Sequence, residues 1–313
     1  MDEFSRIARY FAPLAGPEGL GLLDDAALMA ALPGEDLVLA KDVAIAGVHF
    51  PIGCVPAVAA RRSLRPNLSD LAAMGARPLG YLLGLSLPAA LDERWIAGFA
   101  AALWEDQQAY GLSLWGGDSV KAPHDLSISI TIIGAIAKGA ALRRSGARAG
   151  DDIYVSGVIG AAAAGLAQAL GKAPVRERWL DAYEAPTPRL DLGRALVGLA
   201  SAAIDVSDGL VADVGHLAQA SRCAAALQLA DVPIPSGLPL SPEDAITAGD
   251  DYELAFTAAP SVRSAIFTLS ESLGLTLSRI GVMRAASKDG SPVVVLKPDG
   301  SELLLSRTGW QHA

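Results

Sequence analysis

From Leu126 to Ile136 the chain reads LSISITIIGAI, in which Leu126, Ile128, Ile130 and Ile132 alternate with Ser127, Ser129 and Thr131. A period of two sends successive side chains to opposite sides of an extended strand, so this segment calls for a sheet. Residues 36–45 (DLVLAKDVAI), 80–88 (GYLLGLSLP) and 112–117 (LSLWGG) also read as strands, while 56–76 and 92–110 carry helix-type spacing. Residues 137–151 then lose periodicity and gather glycine and basic residues, as a link between domains does. A second set follows: strand DIYVSG, helix AAAAGLAQAL, a proline-rich break at EAPTPRL, a helix over 190–202, and the strand–turn–helix AIDVSDGLVADVGH. Strands AAALQLAD and YELAFTA, a helix over 261–273 and strands near 278–283 and 293–297 complete it. The expected class is mixed α/β in both halves, with no exact internal repeat.

The chain has 313 residues, long for one core, which suits two domains, read as 1–138 and 139–313. A net charge of −9 argues against a nucleic-acid partner, which needs a basic face. No run approaches the ~18 apolar residues of a membrane span. The opening MDEFSRIARYF lacks the basic-then-apolar order of a signal peptide. Cys54 and Cys223 lie far apart and suit a reduced, cytoplasmic protein, although one disulfide stays open at this level.

Acidic residues punctuate apolar stretches at Asp24 and Asp25, Asp42, Asp70, Asp118, Asp205 and Asp208, and Asp250, Asp251 and Glu253. An ionised carboxylate set in an apolar stretch is costly unless paired or bound to a metal. Turn caps are the local alternative: Ser207 or Asp208 for the helix after AIDVS, and Asn67, Ser69 or Asp70 for a helix at NLSDLAAMGA. Asp oxygens without His or Cys beside them suit Mg²⁺, which binds through a few carboxylates, waters and substrate phosphates, whereas four scattered histidines argue against zinc. Other phosphate grips are poor. GLAQALGKA has five residues between Gly165 and Gly171 where a P-loop has four, and Ala173 follows the lysine, so it reads as a helix stop. Arg143 and Arg144 are the remaining basic punctuation.

Taken in order, GLLDDAAL, DVAIAGVHF, NLSDLAAMGARP, GGDS, ALRRSGARAGD, IDVSDGLVADVGH and GDDYELAFT resemble the thiamine-monophosphate kinases. These belong to the superfamily of aminoimidazole ribonucleotide synthetase and selenophosphate synthetase. The resemblance covers nearly the whole chain. It implies an N-terminal sheet domain for ATP, metal and dimerisation, a C-terminal α/β domain, a homodimer joined through its N-terminal sheets, and ATP with several Mg²⁺ between the domains. It further implies transfer of the ATP γ-phosphoryl group to thiamine phosphate. The acceptor phosphate is largely deprotonated at neutral pH, so no general base is assigned. Carried over by position, Asp25, Asp42, Asp70, Asp118, Asp205 and Asp208 are metal acids. Gly117, Asp118, Arg144 and Ser207 fall to ATP, and His49, Asp250 and Trp310 to the substrate.

The chain departs from the family pattern in two places. Leu22 and Leu23 precede Asp24 where the family reads Gly-Ile-Gly, and Ala40 and Lys41 stand where it carries hydroxyl residues before Asp42. Lys41 either replaces a cation near the phosphates or points away. Two other functions stay open: an ATP-dependent enzyme of the superfamily with another acceptor, and a nucleotide-binding protein without catalysis. No cysteine precedes Cys54, against selenophosphate synthetase, and AGVHF and GWQHA fit the kinase better than the purine enzyme.

Overall fold

A computed structural model describes residues 2–286 and 291–310. It divides into two compact units, Met1–Leu71 with Ala76–Gly139, and Ala72–Gly75 with Ala140–Ala313.

The first unit opens with helix α1 (Glu3–Arg6) and short helical turns to Leu22, then runs β1 (Glu35–Ile45), α2 (Pro56–Ala73), β2 (Arg77–Pro88), α3 (Glu93–Tyr110), β3 (Ser113–Ala122) and β4 (Ser127–Ala137). Its sheet has the order β1-β4-β2-β3, with β4 antiparallel to both neighbours and β3 parallel to β2. The alternation in β4 does what its period requires: Ile128, Ile130 and Ile132 are buried, and Ser127, Ser129 and Thr131 remain partly open. Helix α2 buries Ala59, Ala60, Leu64, Leu68 and Leu71. It starts at Pro56, where the missing N–H costs nothing, and carries Pro66 in its interior. Asn67, Ser69 and Asp70 therefore lie in its last turns and cap no helix start, contrary to the local alternative. Helix α3 has a capping side chain in Asp92, which accepts from the Trp95 N–H, and it ends at Gly111 with φ 69°. The buried Asp106 of α3 takes a two-pronged bond from Arg65 of α2, pinning the helices together.

The second unit runs β5 (Asp152–Ser156), α4 (Ala161–Ala169), α5 (Glu177–Glu184), α6 (Leu190–Leu196), β6 (Ala202–Asp205), α7 (Leu210–Ala220), β7 (Cys223–Gln228), α8 (Pro242–Thr247), β8 (Leu254–Ala258), α9 (Arg263–Leu273), β9 (Leu277–Ala285) and β10 (Val293–Leu296). Its sheet has the order β10-β7-β9-β5-β8-β6. Leu210, Val211, Val214 and Leu217 of α7 share one buried core with Ile153, Val155, Ile204 and Ala255 of the strands. Several boundaries shift from the sequence reading. The helix expected over 190–202 stops at Leu196, because Gly198 turns the chain at φ 82° and β6 begins at Ala202. The strand in AAALQLAD ends at Gln228 and becomes a 3₁₀ turn. Helices α5 and α8 were missed: each is short, and α5 hides only Trp179 and Tyr183. GLAQALGKA does close α4, with Gly171 at φ 68° and the Lys172 N–H returning to the Ala167 carbonyl. Among the described residues, no helix is long and apolar enough to cross a membrane.

Candidate functional site

In the first unit, Asp24 and Asp25 line one pocket with Gly117, Asp118 and Ser119 of β3. Asp25 and Asp118 are both exposed, and Asp118 Oδ1 accepts from the Ser119 N–H at 2.8 Å. Gly117 is required sterically, since a Cβ there would sit 1.9 Å from the Leu83 carbonyl oxygen of β2. Ahead of Asp24, Leu20, Gly21 and Leu22 all take positive φ, at 50°, 68° and 58°, whereas Leu23, which stands in the place of the lost glycine, sits at φ −106°. Two leucines thus adopt a region that favours glycine.

Asp42 lies near the end of β1. Its residue is exposed by area, yet enough protein surrounds the carboxyl for burial to raise it above the ordinary range, with the His49 charge opposing. Because strand neighbours face opposite ways, Lys41 lies on the other side of the sheet. Its Nζ donates to Ser129 Oγ at 2.5 Å and approaches Thr131 Oγ1 at 3.4 Å. Lys41 therefore does not stand in for a cation beside Asp42. Ala40 shares the Asp42 face by its spacing of two, so the absent hydroxyl is the departure that bears on this acid. His49 accepts from the Ile45 N–H through Nδ1 at 3.1 Å, leaving Nε2 as the other ring nitrogen, and its carbonyl is held by buried Arg62.

Asp70 sits one helical turn after Asn67 on α2. The Asn67 amide donates to the Ser63 carbonyl at 2.9 Å, which orients it and leaves its buried Oδ1 with no hydrogen-bond partner among the described residues. An unsatisfied buried oxygen one turn from a carboxylate is what a hard cation, or a water bound to one, would satisfy.

In the second unit, Asp205 ends β6 and is buried. The turn after it is not capped by Ser207 or Asp208. Instead Asp213, in the first turn of α7, accepts from the N–H groups of Ser207, Asp208 and Gly209 through one oxygen, each at 3.1 Å. Burial pushes the Asp213 carboxyl up to about 7, and the charges of Asp205 and Asp208 add to the shift. Asp205 and Asp208 thus stand within electrostatic reach of Asp213, and aspartates of this kind have the oxygen chemistry that Mg²⁺ takes. Among the described residues no three His, Cys, Asp or Glu side chains are grouped tightly enough to hold a metal ion alone.

Asp208 and Trp310 line one cleft with His216 and Gln219 of α7, and the Trp310 N–H donates to the Asp208 carbonyl at 2.8 Å. Asp250 has φ 74°, and its N–H is held by the Ser207 carbonyl. The neighbouring acids are structural. Asp251 encloses its carboxyl at the start of α4, accepting from Gly160 and Ala162, and burial raises it to about 8. Buried Glu253 is paired with Arg189 and accepts from Ser156 Oγ. Arg144 is exposed, its backbone carbonyl held by Ser221. Asp213 lies in the apolar helix that follows the IDVSDG turn, and its role shows only in the turn it holds.

Two family models match, AIR synthase related protein, N-terminal domain, over residues 23–136 and its C-terminal domain over residues 148–300. The thiamine-monophosphate kinase of Escherichia coli strain K12 is 39% identical over 94% of this chain and 95% of its own length, and that of Bacillus subtilis strain 168 is 32% identical over 94% and 93%. The crystal structure of thiamine-monophosphate kinase from Stenotrophomonas maltophilia K279a aligns with a TM-score of 0.82 at 39% identity, covering 96% of this chain and 95% of that one. AaThiL complexed with AMPPCP and TMP aligns with a TM-score of 0.79 at 26% identity, covering 100% of this chain and 99% of that one. With its motifs in order, both domain models matched and identity sustained over almost its full length, the chain belongs to the thiamine-monophosphate kinase family of AIR synthase related proteins.

Proposed function

We propose that this protein phosphorylates thiamine phosphate with ATP, giving thiamine diphosphate and ADP, by direct in-line transfer of the γ-phosphoryl group. The observation that carries the reading is the turn at Ser207–Asp208, where a carboxylate suited to a cation shares a cleft with the Trp310 indole. Phosphate and cationic aromatic rings are the two ends of thiamine phosphate, and the turn offers a group for each. A relative's complex with AMPPCP and TMP agrees with that pair of substrates.

Asp25, Asp42, Asp70 and Asp118 of the first unit and Asp205 and Asp208 of the second would hold Mg²⁺. When bound, Mg²⁺ supplies the positive charge that two phosphorylated molecules need in order to approach, and it neutralises charge on the transferred group. The protein's own part is placement. Gly117 lets β3 run close to β2 beside Asp118, Arg144 offers an exposed guanidinium to the nucleotide phosphates, and Ser207 offers its hydroxyl. His49 and Asp250 take polar atoms of the acceptor, and Trp310 stacks on its rings. The acceptor oxygen is already anionic at neutral pH, so no side chain has to remove a proton.

The reading includes a cytoplasmic homodimer joined through the first unit's sheet. Leu37, Leu39, Val43 and Ile45 are all exposed on the side of β1 that also carries Lys41, with Leu39 at 63%, and a row of exposed apolar side chains of this kind is normally covered. Incubating pure protein with Mg-ATP and thiamine phosphate should yield thiamine diphosphate and ADP in equal amounts. ADP formed only with a different acceptor, or tight ATP binding without turnover, overturns the assignment.

A further inference from the structure

The peptide groups between Val206 and Gly209 are held from both sides. Their N–H groups, on Ser207, Asp208 and Gly209, all point to the Asp213 carboxylate. Their carbonyls, on Val206, Ser207 and Asp208, accept from the N–H groups of Tyr252, Asp250 and Trp310, each at 2.8 Å. Each of three consecutive peptide units thus links Asp213 to one residue of two other chain segments. Because a peptide unit is planar, rotating its N–H away from Asp213 also swings its carbonyl away from the partner on the far side. Glycine makes the close approach possible in both segments. A Cβ at Gly249 would lie 2.3 Å from the Ser207 oxygen, and one at Gly309 would lie 2.8 Å from the Asp208 oxygen.

We propose that Asp213 is a positioning residue that couples the metal-side turn carrying Ser207 and Asp208 to the acceptor-side residues Asp250 and Trp310. Successive backbone N–H groups curved around one point form a nest for an anion, and here the chain fills that nest with its own carboxylate. The nest is then a fixed internal hinge rather than a phosphate seat. The Asp213 side chain is buried and is spent on the backbone. The inference rests on the kinase reading for its catalytic consequence alone.

The test compares Asp213→Ala, Asp213→Asn and a core variant one turn along the same helix, Leu217→Ala, chosen for a similar loss of thermal stability. Amide hydrogen exchange is read at 207–209, and separately at Asp250, Tyr252 and Trp310. In Asp213→Ala both sets should exchange faster, beyond any rise in Leu217→Ala. The concentrations of Mg²⁺ and thiamine phosphate giving half-maximal rate should rise together by about tenfold, the scale of losing partners for buried polar groups. Asp213→Asn keeps an acceptor oxygen and should recover most of the coupling, and it carries the test if the alanine variant does not fold. Faster exchange confined to 207–209, or equal effects in Leu217→Ala, overturns the proposal. If the wild-type protein makes no thiamine diphosphate, the kinase reading fails, while the two exchange sets still decide whether Asp213 couples the segments.

Discussion

Three side chains with the same carboxyl group do three different things here, and their surroundings decide which. Asp208 presents its side chain to a cleft, Asp213 holds backbone, and Asp251 caps a helix from another segment. Asp251 has a pH signature with a definite sign. Its carboxyl moves from 3.8 to about 8 on folding, so the native state holds a proton that the unfolded chain has released between those values. Its contribution to stability is full below about 4 and is lost as pH rises towards 8; Asp213 adds a loss of the same sign ending near 7. Urea unfolding of the metal-free protein should therefore give a midpoint that falls from pH 5 to pH 8, and Asp251→Asn should flatten that fall. Gly117→Ala, driven against the Leu83 carbonyl, should cost about 1–3 kcal/mol in the same measurement and weaken ATP binding.

At the scale of elements, β1 shows how one residue step separates roles. Asp42 and Ala40 face one way, and Lys41 faces the other towards Ser129 and Thr131. Lys41→Met should consequently leave the Mg²⁺ dependence of the reaction within about twofold of wild type, because the change falls on the opposite face. Ala40→Ser, which returns a hydroxyl to the Asp42 face, should lower the Mg²⁺ concentration required. A titration of rate against Mg²⁺ reads both, and a large shift from Lys41→Met would show that its ammonium does reach the phosphates. Helix α2 was legible as a helix because its apolar spacing survives Pro66. That Asn67 and Asp70 stand near its end rather than its start was not, since cap-type residues look alike in sequence at either place. Helix α6 stops early for a similar reason: Leu and Ala continue its pattern, and only the backbone angle at Gly198 breaks it.

For the whole molecule, the proposed homodimer would meet through the exposed apolar side of β1. Leu39→Arg with Val43→Arg should shift sedimentation towards the monomer while the far-ultraviolet spectrum stays unchanged; an undiminished dimer would mean that another surface is used. By itself the sequence determined the alternation of strands and helices in both halves, because period-two and helical spacing are local consequences of which face is covered. It also determined the family, because seven motifs recur in order along one chain. Tertiary structure decided which acids are free to act. Val206–Gly209, Asp250 and Trp310 lie far apart along the chain, and only folding lays their peptide groups side by side. A buried carboxylate and an available one carry the same letter, and the difference between them is set by which N–H groups the fold brings within reach.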